Sequence, residues 1–214
     1  MRRTKPDTGL TFERWRQSWA ALDVAVADQR AFDELLARYA EPHRAYHTRQ
    51  HLEECFAHWE AVRGSAQRPG EVELALWFHD AVYDVRREDN EGKSAELARE
   101  AILRAGLDAA VADRVEALIL ATRHATPPEA GDAAALVDVD LAILAASAER
   151  FDEYERQVRS EYAWVPAPVF RWKRRTLLQE LLDRPWLYST PHFQQVAEQP
   201  ARANLRRSIA QLQG

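Results

Sequence analysis

The chain has 214 residues, of which 46% are hydrophobic and 29% charged, and its formal net charge is −5 at pH 7. This composition indicates one folded domain rather than a disordered chain, and the charge argues against a nucleic-acid polymer as partner. No apolar run is long enough to cross a membrane, and the N-terminus lacks the apolar stretch of a signal peptide. We therefore expect a cytoplasmic protein without a membrane partner. Cys55 is the only cysteine, which excludes an intrachain disulfide.

Apolar residues recur at three- and four-residue steps along the chain, which predicts amphipathic helices and no sheet. In chain order, the helical segments are marked by Phe12 to Val26, Phe32 to Tyr39, His51 to Val62, Val72 to Tyr83, Leu97 to Ile102, Val111 to Ile119, Leu136 to Leu144, Phe151 to Tyr162, Leu177 to Leu182 and Leu205 to Leu212. Thr48 is a candidate cap for the third of these helices, and the segment from Val72 is apolar nearly all round, as in a central helix.

This pattern predicts an all-α fold with a single domain over residues 1–214. We expect a helical bundle with a core around residues 40–145, against which helices within 149–212 pack. The loop that contains Pro127 and Pro128 separates two helices of this core.

Three short segments place polar side chains inside otherwise apolar helices: YHTRQH (Tyr46–His51), WFHD (Trp77–Asp80) and VDVD (Val137–Asp140). An ionised carboxylate loses several kcal/mol of hydration when it is buried, so each aspartate there needs a cation or several hydrogen-bond donors nearby. Imidazole nitrogens combined with carboxylate oxygens suit zinc, manganese, iron or nickel better than calcium. The sequence therefore points to a divalent metal site.

The spacing within these segments leaves several assignments open. His47 and His51 are four residues apart and would share one face of a helix. His79 and Asp80 are neighbours, which point about 100° apart on a helix and reach one ion only from the groove between them. Asp138 competes with Asp140 as the third-helix ligand.

The ordered set of His51, His79, Asp80 and Asp140 resembles the HD superfamily of metal-dependent phosphohydrolases. The likeness covers most of the chain and extends to FHDAVYD (78–84), DNEGKSAE (89–96), TRH (122–124), VDVDLAIL (137–144) and EYAWVP (161–166), which are similar to an uncharacterised bacterial branch of that superfamily. The resemblance implies a helical bundle of the HD-domain type with one or two divalent ions, of manganese, magnesium, iron, nickel or zinc. Its metal ligands would be the four side chains of the ordered set, with Asp140 favoured over Asp138.

The YHTRQH segment is also similar to the Tyr-His-Asn-x-x-His segment of cyclic nucleotide phosphodiesterases, distant members of the same superfamily. This likeness implies that His51 binds metal and that His47 donates a proton to the leaving oxygen, although Thr48 replaces the asparagine. His47 could instead act as a hydrogen-bond partner of a ligand. Asp80 would take part in catalysis as well as in metal binding.

Further candidates surround this set. His124 would bind a second metal or, beside Arg123, a phosphate group. Glu91 would orient water or a ligand, or merely stabilise its helix dipole. Asn90 belongs to the same motif, and Arg44 is a candidate phosphate clamp.

The function implied is hydrolysis of a phosphate ester of a small molecule, such as a nucleotide, by metal-activated water. Two alternatives remain open: a diiron oxygenase, a chemistry known within the superfamily, and a catalytically silent nucleotide-binding regulator. Exposed aromatic faces leave a homodimer open.

Overall fold

The computed structural model describes residues 9–126, 128 and 130–213, and within these ranges the chain forms helices and no strand. The helices are α1 (Phe12–Ala20), α2 (Gln29–Arg38), α3 (Arg49–Val62), α4 (Pro69–Phe78), α5 (Asn90–Arg104), α6 (Ala109–Ala121), α7 (Gly131–Asp140), α8 (Ala148–Glu161), α9 (Ala167–Asp183), α10 (Pro191–Val196) and α11 (Glu198–Gln211). Short 3-10 helices, Arg63–Ser65 and Leu141–Ala145, follow α3 and α7. The prediction of an all-α single-domain fold is confirmed.

Some expectations concern parts of the chain outside these ranges. Residues 1–8, to which the expectation about a signal peptide refers, and the loop residue Pro127 lie outside the described residues. Among the described helices, none combines the length and the hydropathy that a membrane crossing needs.

Helix α4 is the centre of the core, as its apolar sequence predicts. Every residue from Gly70 to Phe78 is buried, and α4 packs against α1, α3, α5, α6 and α7. The ring of Trp77 contacts Trp15, Phe32 and Phe56, so aromatic side chains from three other helices surround it. Because α4 is enclosed, the residues that directly follow its last turn also lie close to the protein interior.

Side-chain caps form at several helix starts, but the one predicted at Thr48 does not form. Asp28, Asp108 and Ser147 accept hydrogen bonds from backbone N–H groups in the first turns of α2, α6 and α8. Thr48 occupies the corresponding position before α3, but its hydroxyl donates to the carbonyl of Tyr46 instead. Thr48 is therefore not a side-chain cap.

Several helix ends differ from the expected ones. Helix α1 stops at Ala20, and Val26 is 85% exposed. The left-handed backbone of Asp23, with φ of 63°, turns the chain away after the helix. Helix α4 stops at Phe78 rather than continuing to Tyr83.

The C-terminal part differs as well. Helix α7 ends at Asp140, where the chain tightens into a 3-10 helix. Pro168 lies in the first turn of α9, where proline is tolerated because its missing N–H has no helical partner. Helix α10 has six residues and was not predicted, since a helix this short carries no clear periodicity.

Candidate metal centre

The four side chains predicted as metal ligands meet at one point between α3, α4 and α7. The Nε2 atoms of His51 and His79 lie 3.2 Å apart. Oδ2 of Asp80 lies 3.4 Å from Nε2 of His51 and 3.1 Å from Nε2 of His79. Oδ1 of Asp140 lies 3.1 Å and 3.6 Å from the same two nitrogens. Both histidines are buried, and the two carboxylates keep a small exposed fraction.

These distances fit the coordination of one ion. When nitrogen and oxygen donors bind zinc at roughly 2.0–2.2 Å in a tetrahedron, neighbouring donors lie about 3.3–3.6 Å apart. The distances from the two Nε2 atoms to each other and to the carboxylate oxygens run from 3.1 to 3.6 Å. The residues present therefore suit a divalent ion of the nitrogen- and oxygen-binding class.

The end of α4 explains how two neighbouring residues reach the same point. His79 is the C-cap of α4, and the N–H of Ala81 donates to the carbonyl of Phe78 in a tight turn. The hydroxyl of Tyr39 accepts the N–H of Asp80 and donates to the carbonyl of Trp77. Because the helix stops here, the side chain of Asp80 is not constrained to the helical angle from His79.

The hydrogen bond of His79 prepares it as a ligand. Its Nδ1 lies 2.9 Å from the carbonyl oxygen of Leu76, which can only accept. In the neutral ring Nδ1 therefore carries the hydrogen, and Nε2 presents its lone pair to the cluster. Metal-binding histidines typically have such a partner on the other nitrogen.

The charges of the cluster are tightly coupled. Burial lowers the pKa of His51 and His79, but neighbouring acidic groups outweigh it and hold the pKa of both well above the usual value. Burial raises the pKa of Asp80 and Asp140, yet the adjacent imidazoles hold the pKa of both well below the usual value. Without an ion, imidazolium groups balance the carboxylates. A divalent ion can provide the same balance once it has displaced those protons.

His124 lies on the other side of Asp140. Its Nε2 is 3.0 Å from Oδ2 of Asp140, while Oδ1 of Asp140 faces His51 and His79. Nδ1 of His124 is buried without a hydrogen-bond partner among the described residues, and its backbone is left-handed, with φ of 54°. Asp140 is thus held between the two ligand histidines and His124.

Asp138 has a separate role. Its carboxylate is fully buried and accepts the N–H groups of Ser189 and Thr190 and the hydroxyl of Thr190. It anchors the segment before α10 and, among the described residues, takes no part in the metal cluster. The structure therefore places Asp140, and not Asp138, in the centre.

His47 is oriented by a buried glutamate that sequence reasoning had not assigned a role. Its Nδ1 lies 2.8 Å from Oε2 of Glu161, and its ring stacks on Tyr83 with centroids 4.0 Å apart. Tyr83 donates its hydroxyl to Oε2 of Glu161, and the N–H groups of Ala45, Tyr46 and His47 donate to Oε1. Burial raises the pKa of Glu161, but the hydrogen bond and charge of the His47 side chain, together with the N–H groups of Ala45 and His47, outweigh it and lower the pKa to about 2. Glu161 is therefore an ionised anchor for His47.

Arg44, a candidate phosphate clamp, is used inside the protein instead. Its side chain is fully buried, and its guanidinium donates to the carbonyl oxygens of His47, Asp80 and Ala81. These bonds fasten the segment before α3 to the turn after α4. In this arrangement Arg44 positions the centre and does not offer its donors to a phosphate.

The remaining candidates lie around α5 and the end of α6. Both ends of the Asn90 side-chain amide bond to the backbone of Asp84 and close the loop before α5. Glu91 pairs with Arg123 at 3.8 Å, directly before His124. Asn90 is therefore a loop brace, whereas Arg123 is partly exposed beside the centre.

Cys55 also lies at the cluster, although sequence reasoning named it only as the lone thiol available. It follows His51 by one helical turn, the spacing that places both on one face of α3. A cavity of about 160 Å³ is lined by Cys55, His51 and Asp140, together with Glu54 and Arg150 among others. A larger cavity of about 570 Å³ lies between α8, α9 and α11, away from these side chains, so donor chemistry and not cavity size locates the site.

No protein-family model matches this chain, and no curated protein or solved structure shows a significant match to it. The resemblance to the HD superfamily therefore stays a prediction. The helical fold and the cluster of histidines, cysteine and aspartate stand on the structure alone.

Proposed function

We propose that this chain is a metal-dependent phosphohydrolase that cleaves a phosphate ester of a small molecule, such as a nucleotide. The observation that carries the proposal is the convergence of His51, His79, Asp80 and Asp140 at coordination distances. The resemblance to the HD superfamily, which names these residues in this order, supports the same class of reaction.

A bound divalent ion would supply a water whose pKa is lowered toward neutrality and a positive charge for the phosphate. The chain would hold that ion through the two imidazole nitrogens and the carboxylates of Asp80 and Asp140. Arg44 and Tyr39 keep the turn that carries Asp80 in place. The fold therefore positions these ligands before substrate binds.

His47 would act as the general acid. Glu161 holds its Nδ1 and Tyr83 stacks on its ring, so Nε2 is the atom left to donate a proton to the leaving oxygen. Glu161 is ionised and accepts the hydrogen of Nδ1, which fixes the orientation of the ring. A placed acid of this kind contributes roughly 10²–10⁴-fold to the rate.

Arg123 and His124 would contact the phosphate group. His124 already bonds to Asp140, and Arg123 precedes it with its guanidinium paired to Glu91. Glu91 would orient Arg123 through this ion pair. In the two-ion alternative, His124 would instead bind a second ion next to Asp140.

The test is to purify the protein, analyse its metal content and assay a panel of phosphate esters, including p-nitrophenyl phosphate, bis(p-nitrophenyl) phosphate and nucleotides. We expect metal-dependent release of phosphate or alcohol from at least one ester. His47→Ala should lower turnover, whereas His192→Ala, the same change at an exposed histidine, should not.

The alternatives predict other results. Metal-loaded protein that hydrolyses no ester contradicts the proposal. Tight nucleotide binding without turnover, unaffected by His47→Ala, supports a regulator. Two irons per chain with substrate-dependent oxygen uptake support an oxygenase.

A further inference from the structure

The thiol of Cys55 lies within the ligand cluster and not merely near it. The donor atoms of His51, Cys55, His79 and Asp140 all lie within 4.8 Å of one another. Sγ of Cys55 is 3.7 Å from both ring nitrogens of His51, and the side chain is 1% exposed. The sulfur therefore faces the same small volume as the nitrogens and the carboxylate.

These distances match coordination to a shared ion. With a zinc–sulfur bond of about 2.3 Å and a zinc–nitrogen bond of about 2.0–2.1 Å, neighbouring sulfur and nitrogen ligands lie about 3.6 Å apart. The observed separation of Sγ from Nε2 of His51 is 3.7 Å. Because ligands on opposite sides of an ion lie about 4.4 Å apart, a group within 4.8 Å is near the limit for a shared ion.

The thiol approaches the cluster from a different side than Asp80. The 160 Å³ cavity is lined by Cys55, His51 and Asp140, and Asp80 is not among its lining residues. Glu54, in the same cavity, is already paired with Arg150 through bonds of 2.6 and 2.9 Å. Of Glu54 and Cys55, only Cys55 belongs to the group of side chains that could hold a metal ion.

We propose that Cys55 is a direct ligand of the ion, together with His51, His79 and Asp140. The inference rests on the metal centre of the proposed function. As the metal–sulfur bond forms, the thiol proton leaves to solvent, so the thiolate contributes one negative charge. Asp80 is then free to bind as a further ligand or to act as a base.

A thiolate changes which ions the centre accepts. Thiolates prefer zinc, cobalt and iron, whereas magnesium and manganese prefer oxygen donors. The cluster as proposed combines one sulfur, two nitrogens and at least one oxygen, a mixture that suits zinc or iron. Among the ions left open by the sequence, this donor set favours zinc and iron over magnesium and manganese.

The test uses cobalt as a spectroscopic substitute for zinc. Because the chain has a single cysteine, any thiolate-to-cobalt charge-transfer absorption must come from Cys55. We expect this near-ultraviolet band at one cobalt per chain in the unaltered protein. Cys55→Ser should abolish the band and lower the selectivity for zinc over magnesium by at least about tenfold.

A second measurement does not depend on the folding of that variant. Alkylation of Cys55 in the unaltered protein should slow at least about tenfold when zinc is added and should not change with magnesium. If cobalt binds without the charge-transfer band, or if zinc does not slow alkylation, Cys55 is not a ligand. Either result would leave the proposal of a metal centre unaffected. A protein that binds no cobalt overturns both, and a band without any ester hydrolysis upholds the inference while contradicting the hydrolase.

Discussion

Asp138 and Asp140 lie two residues apart on α7, and their carboxylates are stabilised in different ways. Asp138 accepts bonds of 2.9 Å and 2.7 Å from the N–H groups of Ser189 and Thr190. Asp140 has histidines as its partners, among them His51 at 3.1 Å and His124 at 3.0 Å. One carboxylate is satisfied by groups that keep their hydrogens at any ordinary pH, and the other by groups that can release them.

This difference separates a carboxylate with a structural role, Asp138, from one that is proposed to bind metal, Asp140. Backbone N–H groups cannot be replaced by an ion without breaking the chain's own contacts, so Asp138 holds the segment before α10 in place. Imidazoles can lose their protons when a metal binds, so under the proposed function His51 and His79 would become fellow ligands of Asp140. Burial alone does not distinguish the two aspartates, whereas the chemistry of their donors does.

The largest expected effect comes from removing a ligand on the functional side. His79→Ala should lower metal affinity more than about 100-fold, because loss of even an outer-shell partner typically costs 10–100-fold. Ester hydrolysis should fall below detection at metal concentrations that saturate the unaltered protein. Calorimetric titration with metal measures the affinity of the variant. A near-normal affinity would contradict the assignment of His79 as a ligand.

The next effect concerns the acid beside the centre. His47→Ala should reduce kcat about 10²–10⁴-fold while the metal content stays the same, since the proposed mechanism assigns His47 to proton donation and not to metal binding. Glu161→Gln should weaken the same step through the orientation of His47. Steady-state kinetics with metal analysis separates these roles, and metal loss in His47→Ala would show that it is a ligand.

A smaller change is expected on the structural side. Asp138→Ala leaves three partly buried donors of Ser189 and Thr190 without their acceptor and should destabilise the fold by about 1–3 kcal/mol. Metal affinity measured on the folded fraction should not change. Urea unfolding together with metal titration checks both halves. If Asp138→Ala and Asp140→Ala lowered metal affinity by comparable factors, the different roles assigned to the two carboxylates would be wrong.

The last expected change is a loss of folding stability at acid pH. The pKa of Glu161 is lowered to about 2 in the folded chain, so its contribution is present above the unfolded pKa and is lost as the pH falls through the folded one. The metal-free protein should therefore lose on the order of 2–3 kcal/mol from this group between about pH 4.5 and 2. Glu161→Gln should be less stable at neutral pH and should approach the unaltered protein over that window. A constant difference across the pH range would contradict the assignment.

Much of the fold follows from the sequence because apolar periodicity records which face of each helix is buried. The central position of α4 was predicted from residues that are apolar all round, and the structure buries them all. The ends of α1 and α4 were not predicted, because a left-handed residue such as Asp23 and a turn such as the one at Ala81 depend on local backbone geometry.

The candidate site likewise has a part that could be predicted from the sequence and a part that could not. The side chains His51, His79, Asp80 and Asp140 were named from their order, and the structure brings them together. The role of Glu161 could not be predicted, since its bonds to residues 45–47 join positions more than 100 residues apart. The structure bonds Arg44 and Asn90 to backbone groups, and a charged or amide side chain near a motif does not reveal such partners in the sequence.

The most direct test of the metal centre is a crystal structure of the protein as purified, with anomalous diffraction measured at the absorption edges of zinc, iron and manganese. The account predicts one ion about 2.0–2.3 Å from Nε2 of His51, Nε2 of His79 and the carboxylate of Asp140. An anomalous peak elsewhere, or these three side chains too far apart to share any ion, would contradict it.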